Sequence, residues 1–172
     1  DHPDSLCGLV LVAPAARAWV GEAAWYNKAT RWPLLGTLLT RIVIPTYGRA
    51  QLEGGARSAF APEPMPADYV EDAHLPLILR ASNWKANAAD MAQVNQHLAN
   101  QETRYAEIRL PVEILAGPED TVLLTPRHSG AIAQTLPEAR LTLIEEAGHN
   151  LHHAHAEAVA QAVDSVFAEA GR

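Results

Sequence analysis

Pro111-Val112-Glu113-Ile114-Leu115-Ala116-Gly117-Pro118-Glu119-Asp120 and, further along, Leu141-Thr142-Leu143-Ile144-Glu145-Glu146-Ala147-Gly148-His149 decide the reading of this chain. Each is a short apolar run broken by a glycine-bearing turn, the pattern of a buried strand followed by a loop. The first loop delivers a carboxylate and the second an imidazole. They lie 29 residues apart, room for one helix and one strand between them. Gly117 and Gly148 are expected to let the backbone turn sharply as it leaves each strand.

Around these runs the sequence alternates strand and helix: a strand at Val112 to Ala116, a helix from Pro126 to Leu136, a strand at Ala139 to Ile144 and a helix from about His155 to Ala170. In the last helix Val159, Val163, Val166 and Phe167 form one apolar stripe, expected to pack on a sheet. Right-handed crossovers would put the strands parallel, with the loops holding Asp120 and His149 on one rim. Near the start, Leu6 to Ala13 is a nearly continuous apolar run closed by Pro14, read as a further core strand. Three such strands leave at least one open sheet edge.

Between these parts, residues 15–104 are Trp-rich, Pro-punctuated and without alternation, and read as a helical insertion. Asn87 is a candidate cap for a helix running to Gln101, with Met91, Val94 and Leu98 on one face. Pro66 opens a candidate helix through Ala73. Gly54-Gly55 and the run Ala61 to Pro66 read as loop.

Composition bounds the function. With 48% hydrophobic and 19% charged residues the chain is globular rather than disordered. A net charge of −7 without a Lys/Arg cluster argues against nucleic-acid binding. Apolar runs such as Leu9 to Ala16 fall far short of the roughly 20 residues that span a bilayer. The lone Cys7 has no internal disulfide partner and reads as a small buried side chain. Asp1 is not an initiator Met, and the chain is read as opening in mid-domain. A targeting segment would precede it, so the compartment is unassigned, the cytoplasm being slightly favoured.

An Asp and a His at strand ends suit nucleophilic hydrolysis: the base takes the nucleophile's proton, and the acid fixes the base's tautomer and stabilises the imidazolium. Glu119 is a neighbouring candidate for the acid, but the Gly-x-x-Asp register favours Asp120. His149, His152, His153 and His155 also raise a metal reading. The cluster has no HExxH pattern, and no metal site is assigned. His152 and His153 read as flanking the following helix, and His74, His97 and His128 as surface residues.

The segments RYAEIRLPVEILAGPEDTVLL (104–124), LPEARLTLIEEAGHNLHH (136–153) and AEAVAQAVDSVF (156–167) resemble the C-terminal part of α/β-hydrolase-fold enzymes, and HPDSLCGLVLVAPA (2–15) resembles the stretch after that family's nucleophile helix. The resemblance implies an α/β chain with a partial α/β-hydrolase fold: C-terminal parallel strands and helices as the core (1–14 and 105–172), and an inserted helical cap (15–104). Asp120 takes the family's acid position and His149 its catalytic histidine. No Gly-x-Ser-x-Gly nucleophile elbow stands upstream of Asp120. The nucleophile would then lie before Asp1, in a missing N-terminal half that becomes this segment's structural partner, and the segment alone would be inactive.

Serine there implies a carboxylic ester hydrolase acting on small apolar esters. Aspartate implies an epoxide hydrolase or haloalkane dehalogenase; such epoxide hydrolases place two cap tyrosines over the substrate oxygen, and Tyr26, Tyr47, Tyr69 and Tyr105 are the tyrosines available, with no local pattern marking a pair. A non-catalytic binding module on the same scaffold is a third reading. Water is the second substrate of the hydrolytic readings, so no cofactor is implied. Trp25 and Trp84 are the candidates to line an apolar substrate pocket, beside the remaining cap tryptophans Trp19 and Trp32. Arg80 and Lys85 are read as exposed cations.

Overall fold

The computed structural model describes residues 5–19, 25–30 and 32–171. They form two compact units: Asp1–Arg17, Ala59–Pro64 and Asn100–Arg172 in one, Ala18–Ser58 and Met65–Ala99 in the other.

The first unit is built on a parallel sheet in the order β1 (Leu9–Val12), β2 (Val112–Ala116), β3 (Ala139–Leu143). Register pairs Leu9 with Val112 and Val112 with Ala139. The period-two alternation of strand side chains sorts the core into two layers. Val112 and Ile114, with Leu9, Leu11, Ala139 and Leu141, pack against Ile132 and Leu136 around α6 (Ser129–Thr135). On the opposite face Leu115, with Val10 and Val12, meets Leu151 of α7 (Leu151–Ala154) and Val159 and Ala162 of α8 (Ala156–Ala170). The middle strand β2 is buried along its whole length because, among the described residues, it alone has a strand on each side.

Glu113 interrupts the apolar run and is only 7% exposed. It points to the α8 face, where Arg140 of β3 donates to it from Nε at 2.8 Å and Ser165 of α8 from its hydroxyl at 3.3 Å. Arg140 also reaches Glu169 at 2.9 Å. The buried carboxylate is thereby matched to a guanidinium, the condition for tolerating such a group.

Three expectations for this unit need correcting. Val163 and Phe167 are 50% and 72% exposed: α8 meets the sheet through Val159, Ala162 and Val166, where small side chains allow close approach, and the stripe is narrower than its apolar residues suggest. Cys7 is exposed, since it precedes β1 at the outer side of the sheet. His128 is 1% exposed and far from a surface residue.

The second unit is helical: α1 (Trp25–Ala29), α2 (Pro33–Leu38) continuing as a π-helical stretch (Leu39–Gly48), most of α3 (Arg49–Phe60), α4 (Tyr69–Asp72), a 3₁₀ segment (Leu75–Leu79) and most of α5 (Ala81–Glu102). Helix α5 starts before the candidate cap Asn87 and buries Ala88 and Leu98, with Met91 and Val94 half-buried. Its Asn95 holds Trp19 at the backbone, accepting from the Trp19 N–H at 2.8 Å. Gly54-Gly55, expected as loop, lies within α3. The flanking Ala, Gln, Leu, Glu and Arg are good helix formers, and Glu53 and Arg57 pair across the two glycines at 2.5 Å.

Candidate active site

The loops after β2 and β3 leave the sheet on the same rim, as parallel strands require, and their backbones touch. The Glu119 N–H donates to the Ala147 carbonyl at 3.2 Å. A Cβ on Gly117 would fall 2.0 Å from that carbonyl oxygen and 2.8 Å from the oxygen of Gly148. One on Gly148 would fall 2.0 Å from the Ala61 carbonyl oxygen. Neither glycine adopts a left-handed backbone; the positive φ of this turn, 57°, belongs to Glu146. The glycines thus serve close approach of chain to chain, and the chain turns directly after Gly117, where the Asp120 N–H donates to the Gly117 carbonyl at 3.2 Å.

This approach brings Asp120 and His149 together: Nδ1 of His149 lies 2.9 Å from Oδ2 of Asp120. Oδ1 of Asp120 accepts two further bonds, from the N–H groups of Val122 and Leu123, both at 2.8 Å. The carboxylate side chain is 1% exposed and the imidazole 25%. Burial pushes the Asp120 carboxyl upward, but the bond to His149, the Leu123 N–H, the charge on His149 and the Val122 N–H outweigh it, and the net shift is downward. An ionised Asp120 accepts from Nδ1–H, which leaves Nε2 of His149 as the basic lone pair. The His loop is pinned beyond the imidazole by the Asn150 N–H donating to the Ala59 carbonyl at 2.9 Å, and by Leu151, which is wholly buried.

The other histidines of the cluster have separate partners. His155 Nε2 lies 2.9 Å from Glu63, and His153 packs on Phe60 and on His152. Among the described residues no three His, Cys, Asp or Glu are grouped to hold a metal ion. Glu119 lines a cavity of about 500 Å³ with Pro62, Glu63, Pro64, Glu145, Glu146 and His155.

Trp84 is a half-buried residue of α5 in the helical unit. Trp25 opens α1, and its side chain lies outside the described residues, as does that of Tyr26. Arg80 and Lys85 are exposed.

Sequence reasoning missed the role of His128. Its Nδ1 accepts from the N–H groups of Ala16 and Arg17, each at 3.3 Å, while the Tyr105 hydroxyl donates to the Ala16 carbonyl at 3.0 Å. Arg17 pairs with Glu102 at 3.0 Å. The segment leaving β1 is fixed by these side chains, and burial, followed by the nearby Arg127 charge and against that of Asp120, holds the imidazole below its ordinary pKa, favouring the neutral acceptor form. No local pattern around Thr125-Pro126-Arg127-His128 marks this, because the partners stand more than 100 residues away in sequence.

The alpha/beta hydrolase family profile matches residues 4–162. No protein with a curated description matches. Among solved structures, an alpha/beta hydrolase fold protein from Burkholderia ambifaria superposes with a TM-score of 0.70 at 23% identity, covering 91% of this chain and 56% of that one. The esterase EaEST from Exiguobacterium antarcticum gives 0.65 at 16% identity, over 94% of this chain and 57% of that one. A bromoperoxidase from Bacillus anthracis gives 0.65 at 11%, over 93% and 58%. The chain therefore spans a little over half the length of these structures, and the likeness to them is one of fold.

Proposed function

The chain belongs to the alpha/beta hydrolase family, and on that premise we propose that it is the C-terminal part of a carboxylic ester hydrolase in which Asp120 and His149 are the acid and base and a serine nucleophile lies upstream of this sequence. One observation carries the reading: a buried carboxylate, saturated by two backbone N–H groups and one imidazole, orients that imidazole at 2.9 Å. In this scheme Nε2 of His149 takes the serine proton as the oxygen attacks the ester carbonyl, and gives it to the departing alcohol when the tetrahedral adduct collapses. His149 then deprotonates water as it attacks the acyl-enzyme, and collapse of the second adduct returns that proton from His149 to the serine oxygen and releases the carboxylic acid. Asp120 stays ionised throughout and stabilises the imidazolium.

Trp25 and Trp84 line the apolar acyl site in this proposal. The Tyr105 hydroxyl is committed to the Ala16 carbonyl, which removes one of the four tyrosines that an epoxide-opening alternative would draw on.

The test is to express the longer reading frame and assay short p-nitrophenyl esters beside an epoxide. His149→Ala and Asp120→Asn are each expected to lower kcat/KM for the ester by roughly 10³–10⁴-fold with the fold intact. Ester turnover that survives His149→Ala rejects the mechanism. Epoxide opening in place of ester hydrolysis transfers the pair to an aspartate nucleophile.

A further inference from the structure

Within the helical unit, α2 and the π-helical stretch after it are turned inside out for a helix facing water. The buried positions are the small or polar Gly36 and Thr40, together with Ile44. Gly36 is seated so closely that a Cβ would fall 2.1 Å from the Thr30 carbonyl oxygen, and the Thr40 hydroxyl turns back to donate to the Gly36 carbonyl at 2.7 Å. The outward positions are Trp32, Leu34, Leu38, Ile42, Val43 and Tyr47, with Leu34 89% exposed. Nearly half of the large hydrophobic side chains exposed among the described residues fall in these sixteen positions. An exposed apolar surface so concentrated marks an interaction face.

Charge narrows the partner. From Ala23 to Leu52 the sequence holds Lys28, Arg31, Arg41 and Arg49 and no acidic residue, whereas the rest of the chain has nine basic and twenty acidic residues, or −11. Arg41 and Arg49 are exposed on the same segment as the apolar residues. An apolar helical face with flanking cations and little polar side-chain functionality fits a bilayer interface bearing negative headgroups. Trp32 and Tyr47 bracket the aliphatic residues, and their rings, apolar with one polar edge, suit the headgroup level. No helix among the described residues is long and apolar enough to cross a membrane, so the segment would lie on the surface.

We propose that residues 32–49 dock the protein on an anionic phospholipid surface, Leu34, Leu38 and Ile42 entering the acyl boundary while Arg41 and Arg49 meet lipid phosphates. The proposal is independent of the hydrolase reading, and its test does not use turnover. The full chain, and the longer reading frame, are sedimented with vesicles of phosphatidylcholine alone or of equimolar phosphatidylcholine and phosphatidylglycerol, with tryptophan emission followed in parallel.

Binding to the mixed vesicles, a blue shift and weakening by salt are expected. Arg41→Gln and Arg49→Gln should each lower affinity for the mixed vesicles about fivefold and leave neutral vesicles unaffected. Leu34→Glu with Ile42→Glu should abolish binding to both, with an unchanged circular dichroism spectrum because both side chains are exposed. Three results overturn the proposal: no sedimentation with mixed vesicles, binding by the glutamate variant equal to wild type, or a solution dimer that Leu34→Glu converts to monomer, which would make the face a contact between copies. Binding by the chain but not by the longer frame overturns it for the whole protein, since other residues then cover the face.

Discussion

Asp120 concentrates the consequences of the site in one side chain. Its ionised form is favoured in the fold, so the folded pKa lies below the unfolded value of about 4. A group shifted downward stabilises the fold fully above its unfolded pKa and loses that contribution as pH falls through the folded value. Asp120→Asn is therefore expected to be less stable than wild type at pH 7, with the gap narrowing as the pH is lowered from about 5 toward 2. Urea midpoints across that range measure it, and a pH-independent gap would assign the loss to hydrogen bonding alone. Gly117 supplies a second prediction at this scale. Because an added Cβ meets backbone oxygen at 2.0 Å rather than a flexible side chain, Gly117→Ala must part the two loops. The expected cost is about 1–3 kcal/mol, with loss of the low-field Nδ1–H proton resonance of His149 in NMR spectra. Retention of that resonance at wild-type stability would show that the loops yield without disturbing the pair. The two residues differ in how far sequence could take them. An Asp after strand-Gly-x-x and a His after strand-Gly were readable from spacing. The reason for the glycines was not, because steric exclusion by Ala147 and Ala61 depends on chain segments far apart in sequence.

At the scale of elements, the parallel strands were legible because short, largely apolar runs bounded by Pro and Gly admit few alternatives, and β2 runs over the residues expected, Val112 to Ala116. Glu113 inside it was silent in the sequence, since its partner Arg140 is found only once β2 and β3 are in register. Helices were less legible. In α8, small residues set the packing distance, so Ala162 is buried while the larger Phe167 is left outside, against the weight of its hydrophobicity. In α3, local glycine content pointed to a loop, but the helix formers around it and the Glu53–Arg57 pair carry the helix through. That reading makes a prediction. A Cβ at Gly54 or Gly55 meets nothing within 4 Å, so Gly54→Ala and Gly55→Ala should each stabilise the protein by about 0.5–1 kcal/mol through the reduced entropy of the unfolded chain. Chemical denaturation with an unchanged slope checks it. Destabilisation by either alanine would mean that the glycines serve a contact absent from this helix.

For the molecule as a whole, an all-parallel sheet is ordinarily covered on both faces and paired along its length, yet β1 has a strand on one side only among the described residues. Helix α8, packed on β1 through Val166, leaves Val163 and Phe167 exposed beside this incomplete sheet, and Leu6 ahead of β1 is 50% exposed. An unpaired strand edge next to apolar side chains is a template for association between chains. The 172-residue chain is thus expected to self-associate with rising concentration, and Val163→Lys with Phe167→Lys to shift it toward monomer in sedimentation velocity. Both side chains are exposed, so stability should change by no more than about 0.5 kcal/mol, which separates a surface effect from unfolding. Leu34→Glu serves as the contrasting variant, since the apolar face it disrupts belongs to the helical unit; if it alone disperses the oligomers, the association runs through residues 32–47 and the sheet edge is not the cause. If the proposed function is right and further strands lie upstream, those strands would pair with β1 and remove the template, so in such a longer frame the lysine pair should leave the oligomeric state unchanged. Equal self-association of wild type and the lysine variant in the 172-residue chain, with Leu34→Glu equally without effect, would show that neither surface drives it.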